Sequence, residues 1–343
     1  MHLSSLLSLT PLDTSDINVS VAIQSEALLG TAGTPTYMKE FRLHRFILCA
    51  RSKYFAQRLL PSEGRKSSKI LQLPNSIDPK ATEITFRFLY LGEIAQILSG
   101  DLLAHIKVIY TLLDLPSLWY FALTSDDPKS WRQVQSNEID KAKQDLDTWF
   151  DEFVLGKAVR VNTDEADAFR MEVENDSFAD VVLRSGEDAG NRPPGAAPDW
   201  KPQTVFYPVH KAMLRSEFFT LMFTSSFKEG QKQSPDEPLH IISLEILPHI
   251  LELVLRFLYS DKVVVPLEYA LDTLYAADQL FIERLKVKVT MIISSQGHGG
   301  LPGGYGNKGE NWDNRSAEGY DVYDVIRAGW ATRQQKLEEF GAK

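Results

Sequence analysis

The stretch "VFYPVHKAMLRSEFFTLMF", residues 205–223, passes from an extended apolar run through one histidine into a row of large hydrophobic side chains. Taken alone, His210 reads as a catalytic group, a metal ligand, or the point where a strand hands over to a helix. The chain narrows this by repeating itself. "LHRFILCARSKYF" at 43–55 resembles "VHKAMLRSEFF" at 209–219, and "FRFLYLGEI" at 86–94 resembles "LRFLYSDKV" at 255–263. The two histidines, His44 and His210, lie 166 positions apart, and the two Arg-Phe-Leu-Tyr tracts 169. Two matches in one order, at nearly one offset, mark a duplication. The period is far too long for a solenoid unit, so the repeated object is a whole domain.

Each repeat follows one plan. A short strand-like run comes first: "DINVSVAI" at 16–23 and "FADVVLRS" at 178–185. A loop follows, which in the second repeat is "GEDAGNRPPGAAPDWKP" and reads as an exposed insertion. A second extended piece leads into the histidine, with Phe41 and Leu43 on one face and Arg42 and His44 on the other. After the histidine the period becomes helical. Leu48, Phe55 and Leu59 share one face, as do Leu214, Phe218 and Leu221. The second repeat has two fewer residues between His210 and Phe219 than the first has between His44 and Phe55. That is about 200° of helix rotation, so either the first turn is tighter there or a piece of it is lost.

Further along, "KILQLPN" and "PLHIISL" predict a short strand ending in a turn. Helices follow over 78–91 and 245–260. A last helical segment closes each repeat, "LLAHIKVIYTLLDLPSL" and "ALDTLYAADQLFIERLKVKV". The expected class is α+β: two units of short strands plus a helical cluster, joined by a helical insert. In that insert Ile139, Ala142, Leu146, Trp149, Phe150 and Phe153 form one helical face, and Gly156 is its stop. Seven glycines in "GHGGLPGGYGNKG", 297–309, predict a flexible linker, and Val322, Ile326 and Trp330 predict a C-terminal helix. The boundaries are 15–121 for the first unit, 122–170 for the helical linker, 171–293 for the second unit, 294–319 for the Gly-rich linker and 320–343 for the C-terminal helix.

Bulk properties exclude several classes of function. A net charge of −9 gives little attraction to nucleic acid or to an anionic membrane. No uncharged apolar stretch approaches ~20 residues, so no membrane-spanning helix is expected. The single cysteine, Cys49, rules out an internal disulfide or a cysteine-based zinc finger, and points to the cytosol or nucleus. No Gly-x-Ser-x-Gly, His-Glu-x-x-His or Gly-x-x-x-x-Gly-Lys-Ser/Thr occurs. Cys49 and His44 are close in sequence, but nothing else supports a hydrolase. No catalytic residue, metal site or cofactor is expected. His44 and His210 are read as hydrogen-bonding groups that fix the strand-to-helix turn, and the Phe-Leu-Tyr tracts as core, with the hydroxyls of Tyr90 and Tyr259 near the surface.

With these residues on the page, both units resemble the BTB/POZ domain. The first supplies Leu43, His44, Leu48, Ser52, Tyr54 and Phe55, then Phe88, Leu89 and Tyr90. The second supplies Asp180, Val181, Val209, His210, Lys211, Leu214, Ser216, Phe218 and Phe219, then Phe223, Phe257, Leu258 and Tyr259. Asn18 stands where the family shows Asp. Two such units, a helical insert and a helix like "YDVYDVIRAGW" resemble the C-terminal part of the ankyrin repeat and BTB/POZ domain-containing proteins; the ankyrin half has no counterpart here. The resemblance implies protein–protein interaction. Phe227-Lys228-Glu229 is similar to the hydrophobic-x-Glu motif by which some BTB domains hold cullin-3. That assigns Phe227, Glu229 and Phe223 as the contact in a substrate-recruiting subunit of a cullin-3-type ubiquitin ligase. The first unit has "PSEGRKS" at this place and lacks the aromatic. The alternative is a scaffold or regulator with no ligase link. BTB units also pair through an apolar face, here within the chain or as a homodimer.

Overall fold

The computed structural model describes residues 6–7, 13–23, 37–61, 68–74, 77–94, 98, 100–124, 128–186, 201–225, 230–231, 234, 237–296, 322–334 and 337. It divides into two compact units. One comprises Met1–Lys157, Glu172–Asp180 and Pro208–Ala212; the other comprises Ala158–Met171, Val181–Tyr207 and Met213–Lys343.

In the first unit, β1 (Ile17–Ile23) is the centre of a three-stranded sheet. It pairs antiparallel with β2 (Tyr37–Leu43) and parallel with β3 (Ile70–Gln72), in the order β2-β1-β3. Val19 and Val21 are fully buried, as alternation on one covered face requires. Two helices follow His44, α1 (Arg45–Arg51) and α2 (Lys53–Leu59). The sequence reads this stretch as one helix; Ser52, extended at φ −145 and ψ 123, breaks it. The Ser52 hydroxyl donates to Leu113 O at 3.1 Å, which ties the break to the helical cluster.

Next comes α3 (Pro79–Leu91). Asp78 caps its start by accepting from Ala81 N at 2.7 Å, and Gly92, at φ 69, ends it in the left-handed region. The closing segment is two helices rather than one, α4 (Gly100–Leu113) and α5 (Pro116–Leu123), broken where Asp114 takes φ 51. The insert is α6 (Pro128–Trp149), wound on as a π-turn over Phe150–Leu155. It lies on the first repeat. Arg51 pairs with Asp145, Lys141 donates to Ser117 at 2.8 Å, and Trp131 stacks on Phe121 at 6.1 Å.

The second unit repeats the scheme and adds one strand. β5 (Val181–Arg184) runs parallel to β7 (Ile241–Ser243) and hydrogen-bonds β6 (Gln203–Val209). On the far side of β6 lies β4 (Val159–Asn162), from the segment read as linker, giving the order β4-β6-β5-β7. Phe206 is wholly buried there, with Phe169 stacked on it at 4.1 Å. The helices are α7 (Glu217–Thr224), α8 (Pro248–Ser260), α9 (Ala270–Gln279), α10 (Glu283–Gln296) and α11 (Val322–Thr332).

Two backbone breaks recur between the repeats. Asp261, at φ 59, ends α8 as Gly92 ends α3; Phe281, at φ 52, separates α9 from α10 as Asp114 separates α4 from α5. The two residues missing after His210 remove a helix. Residues 211–213 form a turn and 214–216 hold no helix, Ser216 caps α7 in its place, and Phe219 is as fully buried as Phe55. On α11 the expected face is corrected. Val325 and Ala328 are buried, while Trp330 is 67% exposed, because the packing stripe is one position off the predicted one.

Candidate functional site

Two clusters form around the duplicated histidines. In the first repeat, Asp16 precedes β1 and accepts from Arg45 twice, from the backbone N–H at 2.8 Å and from Nε at 2.7 Å. Burial raises the Asp16 carboxyl above its ordinary range, and the Arg45 charge draws it back. His44 stands just before α1. Its backbone N–H donates to the Tyr90 hydroxyl at 2.8 Å, and its Nδ1 lies 2.8 Å from the same oxygen. Nε2 is 2.8 Å from the Thr14 hydroxyl. The Tyr90 oxygen thus meets both the backbone N–H and the imidazole of His44.

In the second repeat, Asp180 precedes β5 and its carboxylate accepts from Lys211 N at 2.7 Å. Its own N–H donates to Val209 O, as that of Asp16 donates to Leu43 O. His210 Nε2–H donates to Ser177 O at 2.8 Å. Burial pushes the Asp180 carboxyl up to about 6 and holds the His210 imidazole down to about 3. Tyr90 and Tyr259 are both fully buried. The expectation of surface hydroxyls is thus corrected: the Phe-Leu-Tyr tract turns its tyrosine inward, in the first repeat toward the histidine. Asp16, not Asn18, is the counterpart of Asp180. It occupies the same place relative to strand, histidine and following basic residue, and the shift of two positions hid it from a comparison anchored on the strands.

These clusters have no access to a substrate. His44 and His210 are 1% and 3% exposed, and the Cys49 thiol is buried, with burial raising its pKa. Among the described residues no group of His, Cys, Asp or Glu is arranged to hold a metal ion. The arrangement ties the start of a strand to the end of its neighbour in both repeats and, in the first, adds a helix start and a tyrosine from α3.

Of the three assigned contact residues, Phe227 and Glu229 lie outside the described residues. Phe223 is 3% exposed and stacks on Phe219 at 6.1 Å, so it faces the core rather than a partner. The loop that carries the motif has well-defined ends. Ser225 closes α7, and a Cβ placed on Gly230 would lie 2.6 Å from Ser225 O and 2.9 Å from Phe223 O. Gly230 therefore lies against the end of α7. Leu221, on the outer face of α7, is 65% exposed, an apolar residue that sequence periodicity had assigned to the core face.

Sheet order, histidine node and helical cluster thus occur twice. The BTB/POZ domain family matches residues 33–119 and 171–297, more than half of the chain. The chain belongs to the BTB/POZ family. It is also similar to "BTB/POZ domain-containing protein 3" of Schizosaccharomyces pombe, 26% identical over 310 residues, covering 88% of this chain and 48% of the relative. It is similar to "Ankyrin repeat-containing protein YIL001W" of Saccharomyces cerevisiae, 27% identical over 322 residues, covering 89% of this chain and 56% of the relative. The chain spans about half the length of these curated relatives. BTB/POZ repeats are protein-interaction modules.

Proposed function

We propose that this tandem BTB protein is a non-enzymatic adaptor whose second repeat docks a cullin-3-type scaffold while other surfaces hold a substrate protein. The observation that carries the reading is the asymmetry between the repeats: the second has Phe227-Lys228-Glu229 directly after α7, and the first has no aromatic there. An aromatic anchor beside a carboxylate is the composition of an interface hot spot with a charged rim. Leu221, exposed near the end of α7, adds an apolar side chain to that part of the repeat. The repeats also pair, within the chain or between chains. The cytosol or nucleus is the proposed setting.

Pull-down of cullin-3 by the wild-type chain, lost in Phe227→Ala/Glu229→Ala, is the expected result. Equal recovery by both forms, or by neither, overturns the ligase reading. Recovery of other partners without any cullin would leave the scaffold alternative.

A further inference from the structure

We propose that Arg45 and Phe46 of α1, with Trp149 at the end of α6, form a socket for Phe178 and His210 of the second repeat of the same chain, and that this socket selects the unlike pair of repeats over pairing between chains. The proposal rests on the reading that the BTB repeats pair, and is independent of the cullin contact.

All these residues belong to the first compact unit, which takes in 172–180 and 208–212 of the second repeat. Phe46 stacks on the His210 ring with centroids 4.0 Å apart. The Arg45 guanidinium carbon lies 4.5 Å from the centre of the Phe178 ring, and Trp149 runs nearly parallel to that ring at 6.1 Å. Phe178 is held for this contact. Its φ is 59, a conformation a bulky side chain rarely adopts, yet the ring is only 4% exposed. Asn175 builds the turn that holds it. Its Oδ1 accepts from Ala179 N at 2.9 Å and Ser177 Oγ at 2.8 Å, and its Nδ2 donates to Ala179 O at 2.9 Å.

The charge of Asp16 acts on Asp180, and that of His44 on His210, so each group lies near its own counterpart, as an isologous contact requires. The side chains that pack are not symmetric, however. Phe46 corresponds to Ala212, and Phe178 to Thr14. Two first repeats together would have no Phe178, and two second repeats no Phe46. The unlike pair alone brings both rings, and the connecting chain makes that encounter intramolecular.

The test is a chain carrying Cys49→Ser, Phe46→Cys and His210→Cys, so that its two cysteines are the introduced ones. Oxidation of the folded protein is expected to consume both thiols at the mass of one chain. Disulfide-linked dimers overturn the within-chain claim, and a folded chain whose thiols stay free overturns the contact itself. In parallel, light scattering of the unaltered chain is expected to give the 38.8 kDa monomer throughout a dilution series. A dimer mass there would reject unlike pairing while leaving the broader pairing reading standing; a monomer whose paired cysteines stay reduced would reject both.

Discussion

Asp180→Asn is expected to reveal a pH dependence of stability that the wild-type chain conceals. Buried His210 titrates near 3 when folded and near 6.5 when not. The unfolded chain therefore binds the extra proton between those values, and this group's contribution is complete above about pH 6.5 and lost as pH falls, by about 1.4 kcal/mol per pH unit. Asp180 works in the opposite sense. Its folded carboxyl titrates near 6 against an ordinary 3.8, so the folded chain binds the extra proton between the two and gains stability as pH falls. From pH 6 to pH 4 the two slopes nearly cancel. Asparagine removes the second slope while its side-chain oxygen still accepts from Lys211 N. Relative to wild type, the variant should lose about 2 kcal/mol more between pH 6 and pH 4. The assay is guanidinium unfolding of both proteins at several pH values, the difference between them cancelling every other carboxylate. Parallel pH profiles for the two chains would refute the reasoning. Adding His210→Gln should flatten the variant's profile again.

Further outcomes follow from the fold. Tyr90→Phe leaves the buried His44 N–H and Nδ1 without their shared hydroxyl partner, so chemical denaturation should show a loss of about 1–3 kcal/mol. Gly92→Ala forces a Cβ to 2.7 Å from Glu138 O on α6, at a φ of 69; the loss should reach about 2 kcal/mol or more in the same assay. Asp261→Gly at the equivalent position relieves a left-handed residue and loses an ion pair to Arg284, and should change stability by no more than about 1 kcal/mol.

The parts of this fold legible in the sequence are those where a short local pattern is sufficient. Strand alternation around Val19 and Val21, the Asp78-Pro79 start of α3 and the duplicated Phe-Leu-Tyr tract each carry their own signal. What stayed hidden depends on partners distant in sequence. Ser52 breaks a run whose apolar spacing is helical on both sides, because its hydroxyl meets Leu113 O from another helix. The closing segments split at Asp114 and Phe281, where neither a glycine nor a proline occupies the break itself. Loss of the first helix after His210 follows from a two-residue deletion whose effect periodicity can register but not resolve. Asp16 was overlooked because Asn18 occupies the more obvious strand position. Phe46 and Phe178 carry no signal of their own in the sequence, since nothing local indicates that their rings meet side chains of the other repeat.

Strand β4 begins twelve residues before the family match to the second repeat, at Val159 against residue 171, yet it covers the outer edge of β6. A fragment cut at residue 171 would leave that edge bare, with Thr204 and Phe206 exposed to solvent and backbone donors and acceptors unsatisfied. Such an edge seeds intermolecular strand pairing. The second repeat, expressed alone from the family boundary, is therefore expected to aggregate, whereas one begun at Ala158 keeps its own cover. The sheet of the second repeat and the homologous unit do not start at the same residue.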